Sequence, residues 1–480
     1  MVFASLIFLF LFLPLTLAVY FALPPRLGNA TLLVASLAFY LWGEGLYAGI
    51  VLASIGFNFA LGARIGDASD AARRRRWLAA AVAGNLGLLA VFKYADFAVA
   101  NLDVALAWIG RPPVARPDIA LPLGISFFTF HSISYAVDVY RGNATPQRRL
   151  SDFALYILLF PQLIAGPIIR YKDIAAQITR RERRLADVAE GVRRFVLGLG
   201  KKTLVANPLG AVADQVFAIA PPELTTPVAW VGIACYSLQI YFDFSGYSDM
   251  AIGLMRMLGF RVLENFRYPY VAQSIREFWR RWHISLSNWF RDYLYVPLGG
   301  NQRGVARAYG NLVAVFLLCG LWHGARWTFV LWGIWHGAFL VLERAGGDRL
   351  LARAGRPLRH AYALAAVLGG WVLFRSETVD QARWFFLALA GLGAGPVSAL
   401  KYPVRQYLDP LVLATLAAAV LGAMPIGRAM LGATDRLGAT RSGLRVPGFV
   451  GEALWIAAVL GGACVALAAG TYNPFIYFRF

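Results

Sequence analysis

Apolar stretches long enough to cross a lipid bilayer recur from one end of this chain to the other, and no other feature restricts its fold as much. A hydrocarbon core of about 30 Å needs about 20 residues at a helical rise of 1.5 Å. Residues 3 to 23 (FASLIFLFLFLPLTLAVYFAL) meet that length, with no Lys or Arg ahead of them as a secretory leader would require, so this first span is expected to be retained. Further candidate spans lie near 30–42, 46–63, 77–94, 119–139, 152–169, 192–217, 228–257, 309–324, 327–343, 360–375, 407–424 and 450–471. Lipid offers no partner to a bare peptide group, so runs of this length imply helices. Apolar residues make up 59% of the chain and charged residues 15%, against about 45–50% and about 25% in soluble domains. A water-soluble enzyme is excluded. No Pro/Gly/Ser-rich or charged linker divides the sequence, which predicts an all-α polytopic membrane protein forming one domain over 1–480, with about 11 or more transmembrane helices.

The 46 Lys and Arg against 26 Asp and Glu give a net charge of +20. In a chain of this kind the excess marks cytoplasmic loops facing anionic lipid. Nucleic acid is not an expected partner, because the basic residues flank hydrophobic spans and no binding fold is recognisable. Arg64 with Arg73–Arg76, Arg148 and Arg149, the 170–184 run, 256–307, Arg344–Arg359 and Arg428–Arg445 are placed in the cytoplasm. The loops around Glu223 and around Glu377 and Asp380 then fall outside, as do both termini. Segment 152–169 would join two basic loops, and Pro161, Gly166 and Pro167 interrupt it. A re-entrant or kinked element is expected there, buried in protein or lining a cavity. Cys235, Cys319 and Cys464 form no C-x-x-C pair and read as small buried hydrophobes; neither they nor an H-E-x-x-H signature suggests a metal.

An ionisable group within a span costs about 2.5–3.5 kcal/mol at the bilayer centre and is a functional candidate for that reason. His131 (FFTFHSISY), Asp243 and Asp249 (YFDFSGYSDM), His323 (CGLWHGARW) and His336 (WGIWHGAF) qualify, whereas His360 opens a span beside Arg359 and reads as interfacial. Trp322-His323-Gly324 sets an imidazole between a large ring and a glycine that permits close approach. A buried imidazole needs a polar partner or a wet pocket. The second WHG, at 335–337, reads as packing.

The second dense stretch is 276–300, REFWRRWHISLSNWFRDYLYVPLGG. Helical spacing would set Trp279 four residues before His283, with Arg280 on the same side and Arg276 sharing the face of Arg280. Two readings stay open: an interfacial amphipathic helix with snorkelling arginines, or a cytoplasmic vestibule in which Trp279, Arg280 and Trp282 bind an anionic donor and deliver it to His283.

The motifs LPLGISFFTFHSISYAVDVYRG, LLFPQLIAGPIIRY, YFDFSGYSDMAIG, FWRRWHISLSNWFRDYLYVPLGG and CGLWHGARWTFVLWGIWHG together resemble the bacterial branch of the membrane-bound O-acyltransferase family, which contains alginate O-acetyltransferases and teichoic acid D-alanyltransfer proteins. The likeness runs over about residues 1–345 and returns at the carboxyl terminus, while 346–470 add generic spans. The resemblance implies a ring of tilted helices around a membrane-crossing tunnel, with re-entrant and interfacial helices. It also matches His323 to the family's invariant histidine and His283 to its second polar site residue. It further implies a thioester donor, acetyl-CoA or an acyl carrier protein, on the cytoplasmic side of the bacterial inner membrane. No bound cofactor is implied, and a periplasmic acetyltransferase partner would finish transfer to a polysaccharide.

The chemistry is consistent on its own terms. Acyl transfer to a hydroxyl needs a base and a group that stabilises the oxyanion, and imidazole titrates near neutrality. His323 is the expected base; His283 would orient the acceptor or polarise the thioester carbonyl. Trp322, Asp243 and Asp249 are expected to line the tunnel. The tail Asn473-Pro474-Phe475-Ile476-Tyr477-Phe478-Arg479-Phe480 is unusually aromatic. Its Tyr477 could hold the acyl group in transit, dock the partner, or belong to a plug of an apolar groove. Two other functions are compatible with the residues: D-alanyl transfer from a carrier protein, and a transporter using Asp243, Asp249 and the histidines. Against the transporter, no internal repeat is visible.

Overall fold

The computed structural model describes residues 2–426, 445–470 and 472–474, with helices and no strand among them. The chain forms two compact units interleaved in sequence: residues 1–192, 251–263 and 291–293 in one, residues 193–250, 264–290 and 294–480 in the other. Among the described residues four helical runs are long and apolar enough to cross a membrane: Pro25–Asp67, Ala71–Trp108, Val305–His323 and Val450–Ala468. A fifth would combine Val379–Leu392 and Pro396–Gln406, which are bent by 102°. The other apolar stretches form helices that are shorter, more polar or interrupted.

In the first unit the amino-terminal helix, Phe8–Ala22, is shorter than the 3–23 span expected. Ser5 explains the late start, because its Oγ accepts from the Phe8 amide at 3.3 Å and donates to the Val2 carbonyl at 2.8 Å. The chain thereby turns before the helix and packs Phe3 onto Phe8, Phe39 and Phe160. Within Pro25–Asp67, Gly45 at φ +54° separates Gly28–Glu44 from Ala48–Asp67, which correspond to the two stretches read from sequence. Asn58 and Asn85 exchange amide hydrogen bonds of 3.2 and 2.7 Å between Ala48–Asp67 and Ala71–Leu89. Such polar pairs join helices where hydrophobic burial gives little driving force.

The 152–169 segment is broken as its prolines and glycine require. Helix Leu150–Leu158 stops at Leu159, a single turn Phe160–Leu163 follows, and Gly166 takes φ +106°. Residues 153–169 are all buried. Freed backbone groups are met by side chains: Ser36 Oγ accepts from the Phe160 amide at 3.1 Å, and the Tyr156 hydroxyl donates to the Ile169 carbonyl at 3.0 Å. His131 lies against Tyr156, 5.6 Å between ring centroids. It is fully buried, with neither ring nitrogen hydrogen-bonded among the described residues.

The second unit holds residues 276–290 of the dense 276–300 stretch, His283 among them, and both WHG sequences. Val305–His323 and Trp327–Leu342 form a tight helical hairpin through Gly324-Ala325-Arg326. Glycines set the spacing: a Cβ at Gly320 would lie 2.2 Å from the Phe329 carbonyl oxygen, and one at Gly333 would lie 2.3 Å from that of Phe316. A π-turn at Lys201–Ala206 stands just ahead of Pro208, whose missing amide leaves a carbonyl of the preceding turn without its helical partner.

Candidate active site

The short helix Ile275–Arg281 carries Trp279 and Arg280, and its amino-terminal amides are provided for individually. Ser274 Oγ accepts from the Glu277 amide at 3.0 Å, while the Glu343 carboxylate accepts from the Ile275 and Arg276 amides at 2.5 and 3.0 Å. These contacts satisfy three of the four orphan donors of a helix start and place negative charge at its positive end. Glu343 also accepts from the Tyr362 hydroxyl at 3.2 Å, so this buried carboxylate fixes the helix that leads to His283.

The helix ends before His283. Trp282 is extended at φ −100°, ψ 130°, and His283 turns into the left-handed region at φ +41°. The expected placement of Trp279 and His283 at i and i+4 on one helix is therefore corrected: a left-handed turn at a non-glycine residue separates them. Such backbone costs about 1–3 kcal/mol and persists where its surroundings enforce it. Here Asn265 enforces it. Its carbonyl accepts from the Ile284 amide at 3.0 Å, and its Oδ1 accepts from the Ser285 amide at 3.2 Å and the Ser285 hydroxyl at 2.9 Å. The same Oδ1 lies 3.1 Å from His283 Nδ1, and Asn265 Nδ2 donates to Ser248 Oγ at 3.1 Å. His283 is 1% exposed, and burial pushes its imidazole down to about 3, so the ring is neutral at physiological pH.

His323 is the last residue of Val305–His323 and is 6% exposed. Trp322 brings the two histidines into one cluster, its ring 6.4 Å from that of His283 and 4.9 Å from that of His323. Phe244 stands edge-on to His283 at 4.6 Å, and Trp332 and Phe374 stand edge-on to His323 at 5.1 Å each. Gly324 meets the expectation of close approach, although the approaching group is the Phe329 ring, 2.3 Å from where a Cβ would sit.

The remaining expected site residues fall in several places. Trp282 is buried against Phe266, Phe278 and Trp371, at 5.0, 5.6 and 4.8 Å. Trp279 packs on Trp332 and His336, while Arg280 is exposed. His336 lies among Phe278, Trp279 and Trp332, with neither ring nitrogen hydrogen-bonded among the described residues, as the packing reading of the second WHG expects. His360 Nδ1 lies 3.2 Å from the Ala272 carbonyl.

Asp243 and Asp249 are held in ion pairs. Asp243 meets Lys202 at 2.7 Å with both side chains almost wholly buried. Asp249 meets Lys201 at 2.6 Å and Arg194 at 2.9 Å, and Arg194 also binds Glu264. Lys202 donates in addition to the Pro474 carbonyl, Asn207 to Asn473 at 3.1 Å, and the Tyr472 hydroxyl to Asp214. The chain is thus tied to the Lys201–Phe217 region up to Pro474, while Tyr477 lies outside the described residues. Among the described residues no group of three or more His, Cys, Asp or Glu could hold a metal ion.

Sequence reasoning missed Asn265, Ser285, Glu343 and the lysines at 201 and 202. A polar Asn before FRYPY was a signal of sorts, but its partner lies 18 residues away across a turn that local pattern does not announce.

Residues 146–350 match the membrane-bound O-acyltransferase family, a span that contains both histidines of the cluster. The chain is 42% identical to a protein of Azotobacter vinelandii named "Probable alginate O-acetylase AlgI", with all of both chains aligned. The chain belongs to the membrane-bound O-acyltransferase family. It is a membrane-embedded O-acyltransferase. It is also 33% identical to a Helicobacter pylori peptidoglycan O-acetyltransferase over 85% of this chain and 83% of that one. Likeness to the Bacillus subtilis teichoic acid D-alanyltransferase is narrower, 31% identity over 42% of this chain and 53% of that one.

Proposed function

We propose that this acyltransferase moves acetyl groups from a cytoplasmic thioester donor, acetyl-CoA or an acyl carrier protein, across the inner membrane for O-acetylation of an extracellular polysaccharide such as alginate. The observation that carries the reading is the cluster in which Trp322 joins His283 to His323. His323 takes the proton of the attacking hydroxyl, and the ring of His283 orients the acceptor or polarises the thioester carbonyl. A base of this kind contributes about 10²–10⁴ in rate. Aromatic edges enclose His323, so Trp332 or Phe374 must swing aside to admit substrate.

Full-length likeness to the Azotobacter protein supports acetyl over D-alanyl as the cargo, since likeness to the D-alanyltransferase covers less than half of the chain. Basic loops support a cytoplasmic donor side with both termini periplasmic. A ring of about 11 or more tilted helices around a tunnel would give the donor and the acceptor separate entrances. Trp279, Arg280 and Trp282 belong to the donor side of this scheme, while the ion pairs of Asp243 and Asp249 hold the scaffold. A periplasmic acetyltransferase receives the group, and Tyr477 relays it, docks that partner or belongs to a plug of an apolar groove.

Mass spectrometry of the exported polymer from cells with and without this protein tests the reading. The expected result is one acetyl increment per modified residue, lost on deletion and restored by the wild-type gene. A D-alanyl increment, or an unchanged polymer, contradicts it. In the same assay a chain lacking the last six residues is expected to leave the polymer unacetylated, and unchanged transfer would remove Tyr477 from the route.

A further inference from the structure

We infer that Asn265 is a positioning residue that fixes the tautomer of His283, leaving Nε2 as a bare acceptor that receives a hydrogen bond from the acceptor substrate. The assignment starts from a group whose role is not adjustable. The Ser285 amide can only donate, and it lies 3.2 Å from Asn265 Oδ1, so the side-chain atom facing it must be the oxygen. The opposite end agrees, with Nδ2 donating to Ser248 Oγ at 3.1 Å.

That oxygen is 3.1 Å from His283 Nδ1. Two lone pairs facing each other at such a distance would repel, so Nδ1 carries the hydrogen. The Ser285 hydroxyl offers no alternative, being 2.9 Å from Asn265 Oδ1 and 3.5 Å from the imidazole nitrogen. A neutral imidazole has one N–H. Nε2 therefore keeps its lone pair, and it is buried without a hydrogen-bond partner among the described residues.

This narrows the role of His283. Polarising a thioester carbonyl requires a donor, which a bare nitrogen is not. Orienting the acceptor requires an atom that receives a hydrogen bond from a substrate O–H, which Nε2 is. The left-handed backbone at His283, braced by the Asn265 carbonyl through the Ile284 amide, directs the ring, and the Asn265 side chain selects its protonated face. The identity of the bound O–H rests on the acyl-transfer reading above; the tautomer does not.

The test is nitrogen NMR on the full chain in lipid nanodiscs with labelled histidine, the His283 signals being assigned by their loss in His283→Gln. The expected spectrum has a protonated Nδ1 and a bare Nε2. Asn265→Ala should populate the Nε2-protonated form and lower kcat/KM for the acceptor about 10–100-fold, while Asn265→Asp, which keeps an accepting oxygen, should keep Nδ1 protonated and recover most of the loss. A wild-type spectrum with Nε2 protonated, or one unchanged by Asn265→Ala, overturns the inference. If the tautomer shifts and transfer stays at the wild-type rate, Asn265 keeps its assignment and His283 loses its place in acyl transfer.

Discussion

His323→Ala should lower polymer acetylation about 10²–10⁴-fold while the protein inserts and accumulates as the wild type does. The two halves of this expectation have different causes. Rate falls because the substituted side chain has no atom to take the hydroxyl proton. Accumulation holds because His323 is the last residue of its helix, and close backbone approach at Gly320 and Gly333 still holds the hairpin beside it. Polymer acetyl content measured against the amount of protein in the membrane separates the two. Normal acetylation in this variant would remove His323 from the chemistry, whereas loss of both protein and product would assign it to folding.

The second large effect is on stability. Lys202 and Asp243 form a 2.7 Å pair whose side chains are 5% and 2% exposed. Removing one partner from a buried pair takes the counter-ion from the other charge and costs about 3–5 kcal/mol. Lys202→Ala is accordingly expected to lower the melting temperature of the detergent-solubilised protein by several degrees and to loosen the tethered carboxyl-terminal segment, which loses the donor to the Pro474 carbonyl. Lys202→Met combined with Asp243→Leu removes both charges and should recover most of the melting temperature without retying the tail. Equal melting temperatures for wild type and Lys202→Ala would mean that the pair contributes nothing.

The apolar spans and the family were legible because both signals are local. Length and hydropathy mark a membrane helix without reference to its neighbours, and the WHG and FWRRWHISLSNWF motifs are contiguous. That His283 and His323 both border the Trp322 ring was legible only through the resemblance, since 40 residues separate them. What local pattern could not give was geometry made by turns and distant partners. Helical spacing put Trp279 and His283 on one face, but the chain leaves the helix at Trp282 and turns left-handed at His283, a conformation that no glycine announces. The bracing role of Asn265 comes from its carbonyl meeting the Ile284 amide across a turn that local pattern does not announce. Asp243 and Asp249 looked like intramembrane charges in search of a substrate, and each has a cation more than 40 residues earlier in the chain. The first helix is shorter than its apolar run because Ser5 turns the backbone ahead of Phe8 without interrupting the apolar composition.

The central claim is that His283 and His323 serve one reaction. It is tested most directly by a double-mutant cycle on the reconstituted protein, following loss of acetyl from the thioester donor to a hydroxyl acceptor in wild type, His283→Gln, His323→Ala and the double variant. Groups that act as a unit are strongly non-additive, so the double variant should be within a few-fold of the slower single variant. Losses that multiply, or a single variant that keeps the wild-type rate, would contradict the account.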